Sequence, residues 1–143
     1  MTPQRVTLIT LGVEDLDRAT TFYAALGWTP AEVLEKAAFY QMNGLVLGLF
    51  GKTDLAADQG RPGISLGTGA ITLAQNFGTE AEVDSAYATA LAAGATALKA
   101  PEKVFWGGYS GYFADPDGHV WELAMNPFWP LASDGSVTLP DLS

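Results

Sequence analysis

The sequence predicts an α+β protein in which the order β-α-β-β-β occurs twice. Three observations carry that reading. Two segments have apolar residues at helical spacing, and each ends at a glycine. Short runs rich in β-branched and aromatic residues surround both. The segment before each helix contains the same Ile-Thr-Leu in register, as Leu8-Ile9-Thr10-Leu11-Gly12 and Ala70-Ile71-Thr72-Leu73-Ala74.

Arg5–Val13 reads as the first strand. Asp15 is placed to cap a helix over Leu16–Leu26, where Leu16, Ala19, Phe22, Tyr23 and Leu26 form the apolar stripe. Gly27 stops it. Strands follow near Glu32–Leu34, Ala37–Met42 and Leu45–Phe50, with Asn43-Gly44 as the hairpin turn. Residues 51–67 are turn-rich and read as a connection. Gly69–Asn76 restarts the pattern as a strand. Thr79 and Glu82 form a capping box for a helix whose stripe is Val83, Tyr87, Ala90 and Leu91, and Gly94 ends it. Thr96–Lys99, Gly108–Ala114 and Val120–Met125 complete the second half. Asp115-Pro116-Asp117-Gly118 is a tight turn. The expected organisation is one domain over 1–143, with halves at 5–50 and 68–126 and an extension over 127–143.

With 143 residues and 48% hydrophobic residues, the chain has enough apolar surface for a core. It has no cysteine, which excludes disulfides, thiolate metal ligands and a cysteine nucleophile. The polar start and the short apolar runs predict neither a signal peptide nor a membrane span, so the expected location is cytoplasmic. A net charge of −9 disfavours nucleic acid and favours solubility and cationic ligands. Phosphate loops and nucleophile elbows are absent.

Three stretches resemble the vicinal-oxygen-chelate superfamily, which includes glyoxalases, bleomycin-resistance proteins and extradiol dioxygenases. They are Leu11-Gly12-Val13-Glu14-Asp15-Leu16 with Phe22-Tyr23 and Leu26-Gly27-Trp28, the Gly94-Ala95 helix ending, and Asp115-Pro116-Asp117-Gly118-His119-Val120-Trp121-Glu122-Leu123. The resemblance implies two βαβββ halves that curl into partial barrels around a concave ligand site, and a homodimer. It also implies a divalent metal held by side chains on the first and last strands of each half. Those positions fall on Leu8, on Leu47 or Leu49, on Ala70 and on Glu122. Of these only Glu122 can coordinate, because leucine and alanine offer no lone pair. The expectation is therefore no metal and no other cofactor. His119, the sole histidine, falls on the turn and three residues from Glu122, hence on the other face. It is expected as a turn or surface residue.

Strand alternation puts Val120, Glu122 and Ala124 on one face. By the family register Leu8, Thr10, Gly12, Ala70, Thr72 and Ala74 join them. Ile9, Leu11, Ile71, Leu73, Trp121, Leu123 and Met125 are left for the helices. The expected ligand-binding set is Thr10, Thr72, Trp106, Tyr109, Tyr112 and Glu122, with Glu122 as the candidate catalytic residue. Phe105–Phe113 interleaves aromatic residues with glycine, which suits flat or cationic ligands. Pro127-Phe128-Trp129-Pro130-Leu131 is too apolar for a loose tail; it is expected to pack on the domain, to lid the site or to meet a second subunit. Residues from Ala132 on read as surface extension.

Two functions remain open. One is metal-free binding of a small apolar or cationic molecule, as in the family's antibiotic-sequestering members. The other is an enzyme: a metal-assisted lyase, isomerase or dioxygenase, which the missing ligands argue against, or a metal-free enzyme with Glu122 as general base and Tyr109, Tyr112 or Lys103 as a second group.

Overall fold

The computed structural model describes residues 1–141. The chain forms two compact units, one over Met1–Thr68 and one from Gly69 onward.

The first unit contains β1 (Leu8–Val13), α1 (Leu16–Ala25), β2 (Glu32–Val33), β3 (Ala37–Gln41), β4 (Val46–Gly51) and α2 (Lys52–Asp58). Its sheet runs β1-β4-β3-β2, with β1 and β4 parallel and the other pairs antiparallel. A parallel pair needs a long crossover, and α1 with β2 and β3 supplies it. The Asp15 side chain accepts the Arg18 N–H at 3.1 Å and so caps α1. Gly27 and Gly44 have φ of +96° and +74°, the left-handed conformation that each turn requires. Leu11, Val13, Ala38, Tyr40, Leu47 and Leu49 are buried together with Ala19, Phe22 and Tyr23 of α1. Tyr23 stacks on Trp28 with ring centroids 5.2 Å apart.

The second unit repeats the order with β5 (Thr72–Asn76), α3 (Glu80–Ala92), β6 (Thr96–Lys103), β7 (Tyr109–Ala114) and β8 (Val120–Met125). Its sheet runs β5-β8-β7-β6, again with the first and last strands parallel. The Thr79 hydroxyl accepts the Glu82 N–H at 3.2 Å and donates to the Glu82 carboxylate at 3.0 Å. The cap is as expected, but the glutamate returns to the hydroxyl rather than to the Thr79 main chain. α3 packs on β6, β7 and β8. Phe113 and Trp121 stack beneath it with centroids 6.4 Å apart.

The α+β class, the two βαβββ modules and the element order are those expected from sequence. Several details differ. Residues 52–58 form α2, although 51–67 read as turns. Lys52, Leu55 and Ala56 carry its inward contacts, a stripe too short to register as periodicity. Leu55 and Lys52 lie within 3.2 Å of where a Gly12 Cβ would sit, so α2 packs on β1. Leu91 is 38% exposed and leaves the buried stripe to Val83 and Ala90. Ile71 is 53% exposed and precedes β5, so it does not pack on a helix. His119 lies in the turn but is buried, its N–H donating to Asp115 Oδ1 at 2.9 Å. The tail also folds. Leu131 and Val137 form a β-bridge, and the Ala132 N–H donates to the Ser136 carbonyl at 2.9 Å, so the segment from Ala132 on is an exposed extension with a local hairpin of its own.

β6 reaches Lys103 because it is bulged, with register shifts between Ala97 and Lys99 and between Lys99 and Glu102. The bulge brings its backbone over Gly111. A Cβ there would stand 2.8 Å from Pro101 N and 2.9 Å from the Lys99 carbonyl oxygen. Gly111→Ala should therefore cost about 1–3 kcal/mol by overpacking. Urea unfolding checks this; an unchanged midpoint would mean that β6 yields freely.

Candidate functional site

The faces of the second sheet follow from one hydrogen bond. Tyr109 Oη donates to Asp84 Oδ1 of α3 at 2.7 Å, so Tyr109 is on the helix side. By alternation Gly111 and Phe113 share that side, and by register so do Leu123 and Trp121. Tyr112 and Glu122 are paired across β7 and β8 and lie on the opposite, helix-free face.

On this face the ladder sets Ala74, Glu122, Tyr112 and Lys99 side by side across all four strands. The row beside it is Asn76, Ala124, Ser110 and Glu102, and Thr72 pairs with Val120. Tyr112 Oη donates to Glu122 Oε2 at 3.0 Å in a part-buried setting. Burial, then this hydrogen bond, then the negative charge of Glu122 push the Tyr112 phenol up from its usual pKa. Lys99 Nζ is 3.1 Å from Glu102 Oε1, so the face's cation already has an anion beside it. Glu122 makes no ion pair among the described residues. Ser110, Ala114 and Ala124 are small and buried and form the floor.

The structure brings Thr72, Tyr112 and Glu122 onto one face. It does not bring Tyr109 there, since that hydroxyl is held against α3. Tyr109 and Tyr112 are three positions apart, and the alternation that divides His119 from Glu122 divides these two as well. Trp106 lies in the β6–β7 turn with its ring across Gly108, and Phe105 beside it is 101% exposed. Lys99, Glu102, Ser110 and Asn76 belong to the face but were not singled out. The alternation of β5 and β7 pointed to Asn76 and Ser110, whereas the bulges hid Lys99 and Glu102.

Thr10 belongs to the first sheet, on the face of β1 that pairs with Gly48 of β4 and, through it, Phe39 of β3. A depression of about 340 Å³ opens on that sheet, lined by Leu8, Glu32, Phe39, Gln41 and Val46 among others. It is mostly apolar.

Comparison with known proteins agrees with this fold. Residues 5–123 match the Glyoxalase/Bleomycin resistance protein/Dioxygenase superfamily. The chain belongs to that superfamily, the vicinal-oxygen-chelate proteins. It is 30% identical over 136 residues to the metallothiol transferase FosB of Shouchella clausii (strain KSM-K16), covering 94% of this chain and 88% of that protein. A crystal structure of a glyoxalase-related enzyme from Fulvimarina pelagi shares 41% identity with a TM-score of 0.91, covering 97% of this chain and all of that one, 100%. The lactoylglutathione lyase of Agrobacterium tumefaciens shares the fold at 24% identity and a TM-score of 0.71, covering 92% of this chain and 100% of that one.

The superfamily's metal does not fit the donors of this chain. Leu8 and Ala70 lack lone pairs. Leu47 and Leu49, offered as alternatives, are buried on the helix side, which corrects their assignment to the concave face. The residue that stands in the first sheet where Glu122 stands in the second is Phe50: Gly12 pairs with Phe50 as Ala74 pairs with Glu122. Phenylalanine cannot coordinate either. Among the described residues no three His, Asp or Glu side chains converge.

The two tyrosines give a test of the assigned faces. Asp84 raises the Tyr109 pKa from 10.0 to about 12, chiefly through the hydrogen bond. A raised phenol favours the folded state below the unfolded pKa, and that favour is lost as pH rises through the folded value. Stability should thus fall between pH 10 and about 12, and Tyr109→Phe should flatten the fall. Phenolate absorbance followed against pH, alongside unfolding, checks it. Ionisation of every tyrosine at the ordinary phenol pKa would contradict both hydrogen bonds.

Proposed function

We propose that this protein binds a small molecule with an apolar or aromatic body and a cationic or donor-bearing end, without a resident metal, on the Glu122 face of the second sheet. The observation that carries the reading is the Tyr112–Glu122 pair. Tyr112 occupies Oε2 and leaves Oε1 without a hydrogen-bond partner among the described residues. A fixed carboxylate oxygen, amid small apolar neighbours and with the nearby lysine already neutralised, recognises an ammonium or N–H donor. An anionic ligand would meet repulsion there instead.

FosB is named as a metallothiol transferase, which makes a metal-dependent enzyme the natural rival. The donor set argues against it in this chain, because Lewis-acid chemistry needs a held ion. A metal-free enzyme is the second reading, favoured by the same hydrogen bond. Glu122 is a positioned proton acceptor, and Tyr112 would steady it during proton transfer.

Glu122→Gln keeps the shape and removes the charge. It should weaken binding of a monocationic aromatic amine about tenfold or more, with the melting temperature little changed. Calorimetry in excess chelator is the measurement. Binding that vanishes on chelation, or that favours carboxylate analogues, would overturn the reading.

We also propose a homodimer. The exposed Phe128, Trp129 and Leu139, with Val6 and Leu8 in the first unit, supply apolar surface for it. Light scattering at tens of micromolar, which suits a roughly micromolar interface, should give twice the chain mass. A strict monomer would refute it.

A further inference from the structure

The sequence holds three asparagines, Asn43, Asn76 and Asn126, and they differ in the residue that follows. An asparagine side chain is attacked by the main-chain nitrogen of the next residue, so the state of that nitrogen decides which of them reacts. Asn126 precedes Pro127, which has no N–H to lose. Asn76 precedes Phe77, whose N–H donates to the Ala124 carbonyl at 2.8 Å. Asn43 precedes Gly44, whose N–H makes no hydrogen bond among the described residues. The two Asp-Gly pairs resemble Phe77 in this respect. The Gly118 N–H donates to the Asp115 carbonyl at 3.0 Å, and the Gly135 N–H to the Ala132 carbonyl at 2.9 Å.

Asn43 and Gly44 are exposed and form the two-residue turn between β3 and β4. Gln41 pairs with Val46 at its base, and the Met42 N–H donates to the Leu45 carbonyl at 2.9 Å. The turn is loosely held. Gly44 has φ of +74°, but no described residue other than glycine has a positive φ. A type I′ turn, which fits the strand twist, needs a positive φ at both central residues. Nothing lies within 4 Å of a Cβ built on Gly44, so the tip can rotate without a clash. The restraint comes from Gln41, whose Nε2 donates to the Met42 carbonyl at 3.0 Å and to the Leu45 carbonyl at 3.5 Å.

We propose that Asn43 is a site of spontaneous covalent modification, in which its amide is lost through attack by the Gly44 nitrogen. Base removes the Gly44 N–H proton, and the nitrogen bonds to Asn43 Cγ. The Cγ–Nδ2 bond breaks and ammonia leaves with a proton from water. Water then opens the resulting cyclic imide at one of its two carbonyls. Opening at Cγ leaves aspartate. Opening at the Asn43 main-chain carbonyl leaves isoaspartate, with the chain running through Cγ. Glycine favours the attack because no side chain shields its nitrogen. Either product adds a negative charge to a chain already at −9. Isoaspartate also lengthens the main chain inside a two-residue turn, where loop length sets the register of the strands. Gln41 and Val46, at the base of the turn, line the depression on the first sheet, so the modification reaches that surface. None of this involves Glu122, and it is independent of the function proposed above.

The test ages the full chain in buffer at mildly alkaline pH, with proteolytic peptide mass spectrometry and methylation by an isoaspartyl methyltransferase as readouts. The amide-to-acid mass shift and the methyl acceptance should appear in the peptide carrying Asn43, faster as pH rises, while Asn76 and Asn126 stay intact. Gln41→Ala should hasten the change about two- to tenfold, the effect of losing about one hydrogen bond. Asn43→Gln, whose ring closure needs one more atom, should remove the methyl acceptance with the melting temperature little changed. In the aged protein the main-chain amide signals of Gln41 and Val46 should move. Conversion of Asn43 in urea but not in buffer would overturn the proposal, since the native turn would then be locked. Earlier conversion at Asn76 or at either Asp-Gly pair would also overturn it, because the free nitrogen would not be what decides.

Discussion

Everything in the second unit depends on strand register. In a sheet with one face under a helix, a slip of one residue exchanges the two faces completely. Here the helix side is fixed by bulk. Trp121, Leu123 and Phe113 are buried against α3, and Tyr109 is tied to Asp84. A one-residue slip would turn those rings onto the free face. Glu122 is consequently forced onto the free face, and its neighbours on β7 and β5 are forced to be Tyr112 and Ala74. The candidate site follows from where the aromatic residues must go.

The same architecture in the first unit gives different chemistry. Leu11, Leu47, Leu49 and Tyr40 hold its register. On the face opposite α1, however, Phe50 replaces the carboxylate and Gly48 leaves a gap beside Thr10. A Cβ on Gly48 would lie 3.1 Å from the Phe39 ring and 3.3 Å from Thr10 Oγ1, so that gap is already partly filled by Phe39. One module thus offers apolar surface, and the other a carboxylate with an organised neighbour.

The modules and most element cores were legible because they rest on local signals: alternation, helical spacing, caps and positive-φ glycines. The failures share a cause. Leu91 and Ile71 carry apolar side chains at positions where the chain's path, not its pattern, sets exposure. α2 is a short helix in a run of turn-forming residues, stabilised by packing on β1 that no local pattern displays. Lys99 and Glu102 come onto the site face through bulges, and a bulge cancels the two-residue period that would have revealed them. Tyr109 is different. Its face was readable from alternation, but a cluster of aromatic residues in one segment suggested a common surface that a strand cannot give them.

A carboxylate at position 122 has a physical explanation that does not need a metal. A part-buried carboxylate among small and apolar residues gives up part of its hydration, and a hydrogen bond offsets that loss. Where a superfamily member has an ion to offset that loss, this chain has the Tyr112 hydroxyl at 3.0 Å. One phenol satisfies one oxygen. It neither balances the charge nor occupies the second oxygen, and Lys99, whose cation could do so, is turned to Glu102 at 3.1 Å. A site serving only stability would be better built from an apolar residue at position 122, as Phe50 shows in the equivalent place of the first sheet. On the function proposed above, a carboxylate fixed at one oxygen and open at the other is the group that an incoming donor would meet. That is the arrangement expected of a residue retained for a ligand.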